Sequence, residues 1–314
     1  MWYPGSVKTF ATEAPLFTYA TTTVEAANLA TSVSDVMANP TDWFFMDDNT
    51  NNIDKSLGSF VDGPATAPLG NGSAQISVAA GHRTVLGTAA LAGTPLKEIT
   101  SLSYATYRSV GTSDLALSLQ FDVNTNGTGT PTPYEGRLVY EPYYTNTVKD
   151  NTWQTWNTLT SGADWYFSDA GNKVTTTCTQ GSPCTWAQVL ADFPSISISG
   201  GTYFKAGQWI NSDFTGNVDD FVVAVQKGAD VSQVTYNFEP TPTHSGTSGA
   251  GGTAGGAGGI LGDLNGDGQV NFLDFALMMA AFGEHGTGLK ADLNGDGVVN
   301  AADLGILIGN WTVS

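Results

Sequence analysis

Two short segments late in the chain carry its densest chemistry. Asp263-Leu-Asn265-Gly-Asp267-Gly268-Gln269-Val-Asn271-Phe-Leu-Asp274 returns 29 residues later as Asp292-Leu-Asn294-Gly-Asp296-Gly297-Val298-Val-Asn300-Ala-Ala-Asp303. Side-chain oxygens at loop positions 1, 3, 5, 9 and 12, a glycine at 6 for a sharp turn and a main-chain carbonyl at 7 suit a hard cation that takes roughly 6 to 8 oxygen ligands. The pattern predicts two calcium ions. Asp263, Asn265, Asp267, Gln269, Asn271 and Asp274 would hold one, and Asp292, Asn294, Asp296, Val298, Asn300 and Asp303 the other. Position 12 is Asp where Glu is usual, so this shorter carboxylate must swing in from the following helix. The net charge of -18 also falls unevenly: residues 260–314 hold seven carboxylates against Lys290, and six of the seven lie in these loops. Two bound cations would relieve a repulsion of roughly 1 kcal/mol per close carboxylate pair, even in a water-like dielectric.

The duplicated loop, each copy followed by an apolar stretch, resembles the dockerin type I-like family over about residues 260–312. The resemblance implies two calcium ions and a docking role toward a cohesin module. The dyads at loop positions 10 and 11 differ between the copies, Phe272-Leu273 against Ala301-Ala302, which weakens their near-symmetry. Late in each helix stand Met279-Ala280 and Ile308-Gly309, where cohesin-binding dockerins commonly carry polar or basic residues.

Other candidate chemistry is sparser. Cys178 and Cys184 flank a Gly- and Pro-containing turn that can close a small-loop disulfide, which implies an oxidising compartment. Asn71, Asn126 and Asn310 begin Asn-x-Ser/Thr triplets and are candidate glycosylation sites. Asp219 and Asp220, in Gly216-Asn-Val-Asp-Asp-Phe-Val-Val, resemble the last strand of carbohydrate-binding jelly rolls, where an Asp often helps hold a structural calcium; they are a candidate third metal site. Of three histidines, His244 lies in a glycine-rich tract and His285 between the calcium loops. Only His82 is left for base chemistry elsewhere, so a nucleophile–histidine device is not expected. A pair of carboxylates among Glu98, Glu135, Glu141 and several Asp would suffice for a glycosidase, but no clustered acid motif is present, and the reading is a protein that is not an enzyme. Trp43, Trp153, Trp156, Trp165, Trp186 and Trp209 could stack on sugars, although large aromatics more often fill sandwich cores.

The elements behind these residues divide at 241–259, where 8 of 19 residues are glycine and none is a large apolar side chain, a linker composition. Before it, 39–240 contains short runs with period-two alternation: Gln75–Ala79, Leu115–Val123, Gly136–Tyr140, Ser195–Ser199, Asp220–Val225 and Val234–Phe238. Helix-like Thr185–Phe193 interrupts them. Such a segment is most simply a two-sheet β-sandwich or jelly roll with antiparallel strands. Its opening, Asp42-Trp-Phe-Phe-Met-Asp-Asp-Asn through Leu57-Gly-Ser-Phe-Val, resembles that of surface-protein domains similar to concanavalin-type sandwiches. Residues 1–38, with strand-like Leu16–Val24, read as an N-terminal arm, that stretch being either a strand that joins a neighbour or an edge strand of its own domain, and 260–314 as a small α-helical calcium-binding domain. The fold class expected is mainly β.

With only 11 Lys plus Arg, the chain cannot build a phosphate-neutralising patch, so nucleic acid is excluded. No apolar run approaches a membrane span, and the start lacks a signal-peptide pattern, so any export signal is expected to be already removed. These readings converge on a secreted or cell-surface calcium-binding structural protein, a subunit of an extracellular fibre or matrix. It would be joined to copies of itself as a homopolymer through the arm, the dockerin-like module or both. The alternative is a carbohydrate-binding or polysaccharide-active component attached to a cohesin-like scaffold.

Overall fold

The computed structural model describes residues 15–25, 28–111, 114–127, 134–168, 174–207 and 213–240, and beyond the linker 262, 264, 270, 272–286, 289–294, 297–300, 303, 304, 306 and 307. The chain divides into two compact units, 1–244 and 245–314.

The first unit is a sandwich of two seven-stranded sheets. One sheet runs β1 (Phe17–Glu25), β14 (Asp230–Glu239), β13 (Phe214–Lys227), β5 (Gly72–Val78) and β4 (Gly58–Asp62); β13 also pairs along its other edge with β7 (Ile99–Val110), which carries β10 (Gln154–Asn157). The second runs β11 (Trp165–Ser168), β9 (Gly136–Tyr140), β8 (Ser118–Asn124), β12 (Ser197–Gly207), β6 (Arg83–Thr88), β2 (Trp43–Asp47) and β3 (Asn52–Ile53). Helices α1 (Val33–Ala38) and α2 (Trp186–Asp192) interrupt the strands. Thr185 and Gln188 form a reciprocal capping box at the start of α2, which sets where that helix begins.

Alternation explains the layering. In β8, Leu119, Phe121 and Val123 join the core, while Gln120 and Asp122 occupy the opposite face. The core is aromatic: Trp43 stacks on Phe204 at 6.1 Å, and Phe204 meets Phe221 edge-on at 5.0 Å. Each such side chain, fully buried, contributes about 1.5–3 kcal/mol. Trp156, Trp165 and Trp186 are buried with Trp43, so these four cannot form a sugar-stacking platform. Trp153 is half-buried, 5.6 Å from Tyr107, and its Nε1 donates to Pro64 O at 2.7 Å. Trp209 lies outside the described residues.

The strand-like stretch of the expected arm belongs to the sandwich as β1, the edge strand of the first sheet. It pairs with β14 in parallel over nine positions from Phe17↔Val231 to Glu25↔Glu239. The other pairs between described strands are antiparallel. Long β13 changes partner midway, from β5 at Phe214–Val218 to β14 at Phe221–Lys227. The break is a bulge at Asp219 and Asp220, the latter with φ 50°, a left-handed conformation that Asp tolerates better than most side chains. A disulfide joins Cys178 and Cys184, both within the core.

The second unit contains α3 (Phe272–Ala280) and a small core of Val270, Met278, Ala291, Val299 and Leu307.

Candidate functional site: a calcium loop and a polar cleft

In the C-terminal unit the structure brings the described members of the second loop together. Asp292, at position 1, accepts Gly297 N at 2.8 Å, and Gly297 has φ 86°, where glycine is favoured. Asp303, at position 12, is fully buried; its Oδ1 accepts Asn294 N at 3.0 Å and its Oδ2 accepts Asn300 N at 2.9 Å. Burial alone would raise the Asp303 carboxyl, but these main-chain donors outweigh it and hold the group below its ordinary value. Asn300 Nδ2 donates to the Val298 carbonyl at 3.1 Å, and Val298 bridges His285. The loop thus wraps two carboxylates with its own N–H groups, which orients hard oxygen donors before an ion arrives, and this donor set fits calcium. Asp296 lies outside the described residues, as do Asp263, Asn265, Asp267, Gln269 and Asn271 of the first loop. Asp274 of that loop is buried, and its Oδ1 accepts Leu264 N at 2.8 Å, much as Asp303 is held in the second. Leu277, Met279 and Phe282 remain exposed.

A second constellation lies on the outer face of the second sheet. Asp48 accepts Arg137 Nη1 and Lys205 Nζ, each at 2.6 Å, while Asp122 accepts Arg137 Nε at 3.0 Å and Tyr203 Oη at 2.8 Å. The Arg137 guanidinium sits 4.5 Å above the Tyr203 ring. These side chains line a cleft of about 680 Å³ with Gln120, Tyr134 and Ser168. Gln120, Ser168 and Lys205 also line a cavity of about 300 Å³ with Glu141, Tyr143 and Tyr166. Glu141 Oε2 is buried and meets no hydrogen-bond donor among the described residues; burial pushes the carboxyl up to about 8, against the opposing field of Lys205. The face therefore offers fixed donors and acceptors beside tyrosine rings, a surface chemically suited to a polyhydroxylated ligand.

None of this network was anticipated except Glu141 as one isolated acid. Its signal was present: Lys205 between Phe204 and Ala206, and Arg137 opening an apolar run, are charges set inside strand patterns. Asp219, a candidate metal ligand, caps the β13 bulge: its Oδ2 accepts Leu69 N at 2.9 Å and its Oδ1 accepts Phe238 N at 3.2 Å. Burial nonetheless pushes its carboxyl up to about 7, and burial also raises that of Asp220. Asn71 and Asn126 are exposed, and Asn310 lies outside the described residues.

Comparison with known proteins places one of the two units in a class. Residues 261–310 match the model of the Dockerin type I domain, so the C-terminal unit is a dockerin module. No curated protein matches the chain significantly. Among solved structures, the chain is similar to the family 11 carbohydrate-binding module of the cellulosomal cellulase Lic26A-Cel5E of Clostridium thermocellum. That likeness has 10% identity and a TM-score of 0.33, and covers 64% of this chain and 91% of that one. A family 11 module from the same organism, in complex with a β-1,3-1,4-mixed-linked tetrasaccharide, gives 11% identity, 57% and 86% coverage and a TM-score of 0.32. No described helix is long and apolar enough to cross a membrane.

Proposed function

We propose that this chain is an extracellular, non-catalytic component that docks through its dockerin module to a cohesin-bearing scaffold and presents its sandwich cleft to a polysaccharide. The observation that carries the reading is the duplicated loop within the segment matched by the Dockerin type I model. Each loop takes one calcium ion. Asp219 and Asp220 are not assigned a third, because among the described residues no further Asp, Glu, His or Cys gathers with them into a ligand set. Sugar hydroxyls would meet Gln120, Asp122, Arg137 and Lys205 on the floor of the cleft, with Tyr143, Tyr166 and Tyr203 beside them. The test is calorimetry of the full chain against a panel of cohesins, in calcium and then in chelator, followed by pull-down on insoluble glucans, xylan and chitin. Binding to no cohesin in calcium would remove the scaffold role. Retention on a polysaccharide that Asp122→Ala leaves unchanged would remove the cleft.

A further inference from the structure

Strand β1 is attached to its sheet in an unusual way. It is nine residues long and makes a full parallel ladder with β14, extended by Val231 N donating to Leu16 O at 2.9 Å and Leu16 N donating to Asp230 Oδ1 at 3.0 Å. Yet of these nine residues only Val24 is buried, where core strands such as β8 bury most of theirs. Leu16, Phe17 and Tyr19 are 61, 56 and 70% exposed. Beneath its later half a groove of about 650 Å³ remains, lined by Thr22, Thr23 and Val24 with Trp43, Val234 and Tyr236. Main-chain hydrogen bonds, not side-chain packing, therefore hold this strand. Its outer edge is also undefended, for Phe17–Val24 contains no charge, no proline and no bulge, the devices that normally stop an edge from pairing with another chain.

We propose that β1 is an exchangeable strand, which in the assembled protein pairs with β14 of a second copy and so links the copies. Main-chain pairing is sequence-tolerant, and an identical chain offers the same β14 ladder and the same groove. Releasing β1 withdraws one side chain, Val24, from the main core, which a second copy's Val24 would refill, and the chain beyond stays seated, because Leu29 is in that core and Ala30 N donates to Trp43 O at 2.8 Å. From Glu25 to Leu29 the chain spans at most about 14 Å even when fully extended. Donor and acceptor bodies must then abut, and that contact supplies cover for apolar side chains that a lone copy leaves in water. The partner is a second copy of this chain, and the link requires no scaffold and no glycan.

The register supplies the test. Thr21 and Thr235 are ladder partners, and the chain's own two cysteines are already joined to each other. Full-length T21C/T235C is assembled in calcium at high concentration, oxidised, and run on non-reducing denaturing electrophoresis. Exchange yields a ladder of covalent multimers that outweighs the monomer severalfold. A monomer-sized band with both new thiols consumed means the strand stays at home and overturns the proposal. If the thiols remain open, light scattering of the wild type against Ala20→Pro decides. By the alternation set at Leu16, Ala20 aims its N–H at β14, and proline removes it. Association that Ala20→Pro abolishes supports exchange; equal masses, or a wild type that is monomeric throughout, overturn it.

Discussion

Lys205 Nζ lies 2.6 Å from Asp48 Oδ2 in the cleft, with only 9 and 6% of the two side chains exposed. Burial disfavours the charge on both. Around Asp48 that cost is outweighed by Arg137 and Lys205, and its carboxyl stays below the ordinary value. For Lys205 burial prevails over the pull of Asp48, and its ammonium is held below its ordinary value. Asp48→Ala removes the carboxylate that the buried cations Arg137 and Lys205 share, while Arg137 keeps Asp122, and is expected to cost about 3–5 kcal/mol. Lys205→Met should cost less, because Arg137 still pairs with Asp48. Urea denaturation of the two variants checks the order; a loss below about 1 kcal/mol for Asp48→Ala would sink this account of the cleft.

Glu141 makes the sandwich respond to pH in an uncommon direction. Its folded carboxyl titrates near 8, above its ordinary value of 4.5. The unfolded chain therefore releases this proton first as pH rises, and the contribution of Glu141 to stability falls between about 4.5 and 8 and is flat beyond. Asp219, pushed up to about 7, adds the same sign between about 3.8 and 7. Glu141→Gln should remove its part of the slope, so that the variant gains on the wild type by a few kcal/mol, order of magnitude, between pH 5 and 8. Parallel stability curves for the two proteins across that range would contradict the assignment.

How much of this was readable beforehand depended on whether a signal was local. Period-two alternation located β9 at Gly136–Tyr140, and the helix-like run Thr185–Phe193 located α2, because both patterns are complete within a few residues. The two-sheet sandwich followed from the number of such runs. The parallel seat of β1 was not legible, since Leu16 and Asp230 meet across 214 positions and main-chain pairing leaves no mark on side-chain types. The cleft hid for a related reason: Asp48 and Arg137 are 89 positions apart, and each alone reads as a solvated charge. The dockerin module was legible because its twelve-residue pattern is complete within each loop and occurs twice, and residues 261–310 match the Dockerin type I model. The bulge at Asp220 was not, as the left-handed turn answers a change of partner from β5 to β14 that only the sheet reveals.

The disulfide offers a third test. Cys178 and Cys184 are six positions apart, so the loop that the bond closes in the unfolded chain is short. Chain-entropy arguments then give only about 2 kcal/mol of stabilisation. Both cysteines are nonetheless buried in the core cluster that includes Trp186 and Phe167. Replacing both cysteines by alanine should therefore cost about 2 kcal/mol from the lost cross-link plus a cavity contribution, and the denaturation midpoint should move with little change in slope. A double variant as stable as the wild type would show that the cross-link contributes nothing to the sandwich.

Calcium affords the sharpest separation among the candidate ligands. Asp303 closes the second loop, accepting N–H groups from Asn294 and Asn300 while fully buried, and Asp274 stands in the same place in the first. On the proposed reading of one ion per loop, Asp303→Ala would remove both a ligand and the group that organises its loop, so calorimetric stoichiometry should fall from two ions to one; Asp274→Ala should do the same, and the double variant should bind none. Asp219→Asn should leave the count at two, since among the described residues no further Asp, Glu, His or Cys gathers with Asp219 and Asp220 into a ligand set. Calcium at roughly a hundredfold over its dissociation constant should stabilise the wild-type C-terminal unit by about 2.7 kcal/mol per ion, and chelator should reverse the gain. A wild-type stoichiometry of three that drops to two in Asp219→Asn would instead place an ion at the β13 bulge.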